Sequence, residues 1–450
     1  MEHRGSFGSK LGIVLATAGS AVGLGNVWRF PYMTGQNGGA AFLLLYIACI
    51  LLLGVPGMIS EFIVGRHAQT NAARAYNQLS GGRPWRYVGY LGILTSTIIL
   101  GFYAVVAGWC LHYLYASIMG QLQGDANYVQ EVFSTFSGDL WEPVLCGIFF
   151  ILLTHLVVVR GIRKGIERAS KWLMPILLVL LIILVVASCL LPGASAGIRF
   201  LLSPDFSKIN SQVLLEALGQ AFFSLSLGTA CLCTYASYFT KETNLLHSAG
   251  QIAILDTMIA ILSGLLIFPA AASVGISADS GPALIFITLP NVFQQAFGSL
   301  PVVGYVVSIM FYALLVFAAL TSTISMHEIG TAFFTEELHL RRRYSAWIIT
   351  VVAAVICLFC SWSVGAVDIQ LMGTSLMDFC DQLTANFMLP LGGMLACLFV
   401  GWYIPKQVVF DEFTNEGSGN VRFYRFYLFA VRYVCPFCII LIFLHQLGLL

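Results

Sequence analysis

Gly19-Ser20-Ala21-Val22-Gly23-Leu24-Gly25-Asn26 interrupts an apolar run that extends from Leu11 to Tyr32. Glycines at 19, 23 and 25 let the backbone leave α geometry and approach another group closely. In lipid every backbone N–H and C=O must be satisfied, so a helix opens at membrane depth only where protein or water takes over. Two readings fit this stretch alone. Either freed carbonyls and N–H groups bind something, or Gly19 and Gly23 form a G-x-x-x-G face for another helix. A dinucleotide fingerprint does not fit, because Gly23-x-Gly25 lacks a third glycine and no strand precedes it.

Composition identifies lipid as the solvent. The 450 residues are 58% hydrophobic and 10% charged, with a mean hydropathy of +0.87, which places the chain among membrane proteins. A net charge of +1 leaves no basis for nucleic-acid binding. Most of the twelve cysteines, Cys49, Cys110, Cys146, Cys189, Cys231 and Cys357 among them, sit inside apolar runs, where free cysteine behaves as a small hydrophobe. Cys435-Pro-Phe-Cys438 imitates a thiol-redox motif, but without a βαβ context it reads as helix packing. The polar cap 1–10 runs into a full-length apolar segment without a cleavage-type sequence, so the first span is expected to be retained.

Segments long enough to cross roughly 30 Å of hydrocarbon fall at about 11–33, 39–65, 88–120, 143–160, 170–191, 213–238, 248–274, 301–334, 344–362, 370–402 and 424–447. The chain is therefore expected to be an all-α membrane protein of eleven transmembrane helices. Lys and Arg gather on alternate connections, at Arg4 and Lys10, Arg66 to Arg86, Arg160 to Lys171, Lys241, Arg341 to Arg343, and Lys406 to Arg425. The positive-inside rule makes that side cytoplasmic, with the N-terminus inside and the C-terminus outside. Only Arg199 and Lys208 run against the trend.

Helix six is interrupted as well, at Phe223-Ser-Leu-Ser-Leu-Gly-Thr229, where hydroxyls and a glycine replace aliphatic filling. Corresponding breaks in two halves point to inverted repeats with a site at the bilayer midplane. The expected organisation is a 5+5 inverted repeat with broken helices 1 and 6. Residues 1–10 form an N-terminal segment, 11–191 the first repeat and 192–212 an outer loop. Residues 213–402 form the second repeat, with a lid-like helical pair at 277–301, and 403–450 an inner loop and helix eleven. In helix five, Gly165 and Pro175 weaken the cytoplasmic end, as a kink or as a segment that opens.

Four carboxylates, Glu61, Asp256, Glu328 and Asp378, fall inside spans, where such groups are paired or functional. Glu61 is expected to accept N–H groups freed by a broken helix, and Asp378 could face Arg29 as an outer gate. Asp256 could ligate a hard cation, which prefers oxygen donors. Ala318-Ala-Leu-Thr321-Ser322-Thr323 places hydroxyls at membrane depth, either back-bonded to their own helix or, beside loosened backbone, holding sodium.

Taken together, Arg4, the run Gly19 to Pro31, Asn37-Gly38-Gly39-Ala40, Tyr103, Ser224-Leu-Ser-Leu-Gly228, Tyr235-Ala-Ser-Tyr238, Leu320-Thr-Ser322 and Asp378-Phe379 resemble the neurotransmitter:sodium symporter family, with its LeuT-type fold. The resemblance spans residues 4 to 402 and is nearest to bacterial eleven-helix transporters of hydrophobic amino acids. It implies a first sodium site at Ala21, Asn26, Ser224, Asp256 and the substrate carboxylate. A second would use Gly19, Val22, Ala318, Thr321 and Ser322. The substrate would lie among Ser20, Ala21, Gly23, Leu24, Gly25, Ile99, Tyr103, Phe223, Ser224, Ser226, Thr229, Ser322 and Met326. Arg29 with Asp378 would close the outside, and Arg4 with Glu336 and Ser237 or Tyr238 the inside.

Departures from the family pattern carry information. Gly23 stands where amine-carrying relatives have an aspartate, so the substrate is expected to bring its own carboxylate. Thr229 replaces a bulky aromatic of some relatives and widens the apolar pocket. Asp256 replaces the common asparagine and supplies a fixed negative charge, while Ala260 lacks both the carboxylate of chloride-independent relatives and the serine of chloride-binding ones; Tyr46, Gln220 and Ser224 of the chloride cage remain. The resulting expectation is a sodium-coupled symporter of hydrophobic or aromatic L-amino acids in a bacterial inner membrane. It needs no chloride, performs no covalent chemistry and is sufficient as a monomer. Another small carboxylate-bearing substrate, or a ligand-gated channel, are the alternatives. His112, His155 and His327, scattered singly and far from the breaks, are expected to be packed or interfacial.

Overall fold

A computed structural model describes residues 6–124, 126–275, 284–297, 301–367, 369–417 and 421–446. Eight helices are long and apolar enough to cross a membrane: Ala40–Ala68, Arg86–Ile118, Ile162–Cys189, Leu245–Ser273, Val302–Glu337, Arg342–Ala366, Leu376–Tyr403 and Val421–His445. Span one adds a ninth as a bent pair, Lys10–Ala21 with Gly25–Gln36, turned by 54°. Span four is Glu142–Val158, preceded after a 75° bend by Asn127–Gly138, a helix in a stretch the sequence pattern left as a loop. Span six is the remaining crossing, split into Ser211–Ser224 and Cys231–Ala236. The eleven expected helices are thus present, with one and six broken.

Local chemistry explains the boundaries. Ser9, Asn210 and Asn244 cap spans one, six and seven by accepting the N–H groups of Gly12, Val213 and His247. Five wide π turns end two residues before a proline: Gly25–Arg29 before Pro31, Ile50–Gly54 before Pro56, Leu284–Thr288 before Pro290, Leu383–Met388 before Pro390 and Ala430–Val434 before Pro436. Proline has no N–H and clashes with the carbonyl one turn back, so the preceding turn widens rather than breaks.

The described part of the lid-like loop, 284–297, is a single helical run; the rest of the expected pair lies outside the described residues. Between spans nine and ten, Gln370–Leu371 pairs antiparallel with Thr374–Ser375 in an otherwise helical molecule. Span five begins with a π turn, Ile162–Glu167, and continues unbroken through Pro175.

Candidate functional site

The two breaks face each other. Ser226, in the left-handed region at φ 53°, donates its hydroxyl to the Ser20 carbonyl at 3.2 Å. Gly228 lies at φ 81°, and a side chain there would strike the carbonyl of Leu389, so only glycine fits between spans six and ten. The freed N–H groups of Gly228 and Cys233 donate to buried Glu61 at 2.7 and 3.4 Å. Glu61 therefore satisfies the broken helix.

Asp256, wholly buried, gathers the first cation set. It accepts Asn26 Nδ2 on one oxygen at 2.7 Å, and Ser224 Oγ and Tyr46 Oη on the other at 2.8 and 3.1 Å. Asn26 Oδ1 in turn accepts Gly23 N–H at 3.2 Å. These groups offer only hard oxygen ligands, which suits an alkali cation rather than a soft metal. Gln220, which the resemblance places in a chloride cage, is buried with neither amide atom hydrogen-bonded among the described residues.

The second set also converges. Thr321 and Ser322 turn their hydroxyls to the Val22 carbonyl at 3.2 and 3.3 Å, and Thr321 also reaches that of Ala318 at 2.9 Å. Gly19 packs directly on Thr321 and on Met174 of span five. Carbonyls of span one and hydroxyls of span eight can thus share one cation.

Twelve of the thirteen residues expected at the substrate line a cavity of about 50 Å³. Leu24 joins through its N–H, which donates to Tyr103 Oη at 3.0 Å. Ser322 is the other hydrogen-bonding neighbour of the same phenol, so the Tyr103 and Ser322 hydroxyls meet at one point beside Gly23. A side chain on Gly23 would collide with Ser322 Oγ and lie 3.0 Å from Tyr103 Oη. Thr229 spends its hydroxyl inside the break, donating to Ser226 O at 2.7 Å and accepting Cys231 N–H at 3.1 Å. Only its carbon atoms are left for a substrate. Cys231, Ser325 and Leu389 also line the cavity and escape the sequence reading, because each sits in an ordinary apolar or hydroxyl helix turn.

The outer gate differs in detail from expectation. Arg29 stacks on the Phe223 ring, 4.2 Å from its centroid, and forms no ion pair with Asp378 among the described residues. Asp378 is exposed and held by Ser375, whose N-cap hydroxyl accepts Asp378 N–H at 3.1 Å. Asp381, one turn further, is the carboxylate within electrostatic reach of Arg29. Arg4 lies outside the described residues. Glu336 accepts Thr70 Oγ1 and Asn71 N–H at 2.8 and 2.6 Å, and Ser237 donates to the Thr234 carbonyl. Tyr238 also donates to fully buried Glu328 at 2.8 Å, and Arg342 forms a salt bridge with the same carboxylate while donating to the Val158 carbonyl. Arg342 was legible only as one of three loop arginines. His155 and His327 are not isolated: both reach Thr350 Oγ1, at 2.8 and 2.9 Å.

Comparison with known proteins fits this geometry. Residues 4–134 and 138–449 match the sodium:neurotransmitter symporter family. An uncharacterized sodium-dependent transporter of Bacillus subtilis, YhdH, is 38% identical over 98% of this chain and 97% of its own. One from Haemophilus influenzae is 33% identical over 99% of both. The crystal structure of MhsT in complex with L-phenylalanine superposes with a TM-score of 0.90 at 39% identity, covering 98% of this chain and 99% of that one. Family, fold and oxygen-lined sites agree: the chain belongs to the sodium:neurotransmitter symporter family and is a multi-pass, sodium-coupled membrane transporter rather than an enzyme.

Proposed function

We propose that this transporter carries hydrophobic or aromatic L-amino acids together with two sodium ions, by alternating access, without chloride. The observation that carries the reading is Gly23. A side chain there would meet Ser322 Oγ, beside a Tyr103 hydroxyl that can turn its proton to a substrate oxygen and one turn from the Asn26–Ser224–Asp256 cation set. A carboxylate brought by the substrate supplies the charge that Gly23 lacks and completes the first cation's ligands. The mostly apolar remainder of the cavity, with Ile99, Phe223 and Met326, accommodates an apolar side chain. The similar MhsT structure, solved with L-phenylalanine, supports the same class.

In this mechanism sodium at the second set ties span one to span eight, and substrate with the first sodium ties span one to spans six and seven. Filling both lowers the free energy of the closed state. Release inward follows when the Gly165 to Pro175 stretch of span five unwinds and lets water reach the second set. Closure on the arginine-rich, cytoplasmic side rests on Tyr238, Glu328 and Arg342. Asp256 takes the part that chloride plays elsewhere, as a charge that stays in the protein.

Uptake in proteoliposomes tests the reading. Hydrophobic amino acids should accumulate under an inward sodium gradient, stop when it is collapsed, and be indifferent to replacement of chloride by gluconate. Accumulation of a different carboxylate alone, or strong stimulation by chloride, would overturn the corresponding part.

A further inference from the structure

One end of the cavity is polar, and of its three residues the transport reading uses only Ser20. Ser20, Cys231 and Ser325 all line it. Ser20 precedes Gly23, and Ser325 follows Ser322, by three residues, about 4.5 Å along a helix. Both therefore lie roughly one turn toward the cytoplasmic side of the layer where Gly23, Tyr103 and Ser322 meet. A substrate carboxylate at that layer sends its side chain toward them.

The hydrogen-bond inventory at this end is unbalanced. Ser20 donates its only hydroxyl proton to the Thr17 carbonyl at 2.6 Å, and Ser325 donates its own to the Ser322 carbonyl at 2.6 Å. Cys231 lines the same end of the cavity. With both protons given away, each hydroxyl oxygen presents lone pairs, not a donor, to the cavity, in a site where all three residues are buried to 2% exposure or less. Thr229 adds no donor, because its proton is already given to Ser226.

We propose that Ser20, Ser325 and Cys231 form a hydrogen-bond-accepting floor that reads a donor at the tip of the substrate side chain. Amino acids ending in an indole N–H or a phenol O–H then bind more tightly than their phenyl counterpart. The inference rests on the amino-acid reading above. Each serine already has one satisfied bond, so the discrimination is moderate, roughly three- to tenfold for one neutral hydrogen bond.

Sodium-dependent binding of L-tryptophan, L-tyrosine and L-phenylalanine to the purified full-length protein tests it, in wild type, Ser325→Ala, Cys231→Ala and the double variant. The expected result is a wild-type preference of roughly fivefold for tryptophan or tyrosine over phenylalanine. That ratio should fall toward one in Ser325→Ala and in the double variant, while phenylalanine binding persists and reports an intact fold. Should the double variant lose phenylalanine binding, the single serine variant decides. Equal wild-type affinities, or a preference untouched by Ser325→Ala, overturn the floor and leave amino-acid transport standing. Absence of sodium-dependent binding by any amino acid overturns the transport reading and the floor with it.

Discussion

A side chain at position 23 would meet Ser322 and Tyr103 before it met a substrate. Gly23→Asp therefore places both volume and charge where the carboxylate belongs. Like-charge juxtaposition in a buried site costs several kcal/mol, so amino-acid affinity should fall by a factor on the order of 100 or more in a direct binding assay. Gly23→Ala carries only the steric part and should retain measurable binding. Asp256→Asn isolates the other charge. A unit charge about 4 Å from a cation is worth up to about 4 kcal/mol at an effective dielectric near 20. Sodium dependence of binding should shift to roughly tenfold higher concentration, and added chloride should restore part of it; an unshifted curve without chloride would remove Asp256 from the site. Gly23 and Asp256 were both informative in the sequence, as departures from a pattern. The Arg29 partnership was not, because Asp378 and Asp381 share one helix face and sequence spacing cannot say which turn meets a neighbour.

Breaks and wide turns show what could be read at the level of elements. Span one opens at its glycines, whereas span six opens at residues with poor intrinsic reason to do so: Ser226 and Ala230 adopt φ 53° and 61°. That conformation costs an L-residue with a Cβ roughly 1–2 kcal/mol, and Glu61 offsets part of it by taking two freed N–H groups. Ala230→Gly relieves the strain, partly offset by the looser unfolded chain, and should stabilise the protein by about 0.5–1 kcal/mol in a thermal melt. The π turns were in principle legible from the prolines that follow them. Asn127–Gly138 was not, because its short amphipathic pattern sits among turn residues. The helix Lys406–Thr414 presents a different constraint. Glu412 there takes Arg66 Nε at 2.6 Å, His67 at 3.1 Å and Lys241 at 3.2 Å. Burial alone would raise its carboxyl, but the His67 hydrogen bond and the Arg66 and Lys241 charges outweigh it and hold the group at about 2 rather than the usual 4.5. A depressed carboxyl contributes stability above its unfolded value and loses it as pH falls through the folded one. The clamp should thus be complete at pH 5 to 7 and fail only between about 4.5 and 2. Glu412→Gln leaves buried Arg66 short of charge and should cost about 3 kcal/mol at neutral pH, with a flatter acid limb in the same melt.

Across the whole molecule, Tyr238 belongs to span six while Glu328 and Arg342 belong to spans eight and nine. Their contact therefore ties span six to spans eight and nine on the arginine-rich side. Glu328→Gln keeps the shape but removes the charge that Arg342 needs. The population should shift toward the conformation open at that end, read as faster reaction of Cys231 with a water-soluble maleimide; an unchanged labelling rate would show that this tie does not set the closed state. No sequence pattern joined these three residues, since they come together only when distant helices pack.

In the proposed chloride-free cycle, Asp256 also sets the electrical character. A carboxylate fixed in the protein returns with it, whereas a co-transported anion would cancel one positive charge per turn. With two sodium ions and a zwitterion, each complete cycle moves two net charges inward, and a potential of 100 mV contributes about 4.6 kcal/mol. The membrane voltage alone would then support an accumulation ratio on the order of a thousand, before any sodium concentration difference is counted. Transport currents should therefore keep the same charge-to-substrate ratio whichever anion is present.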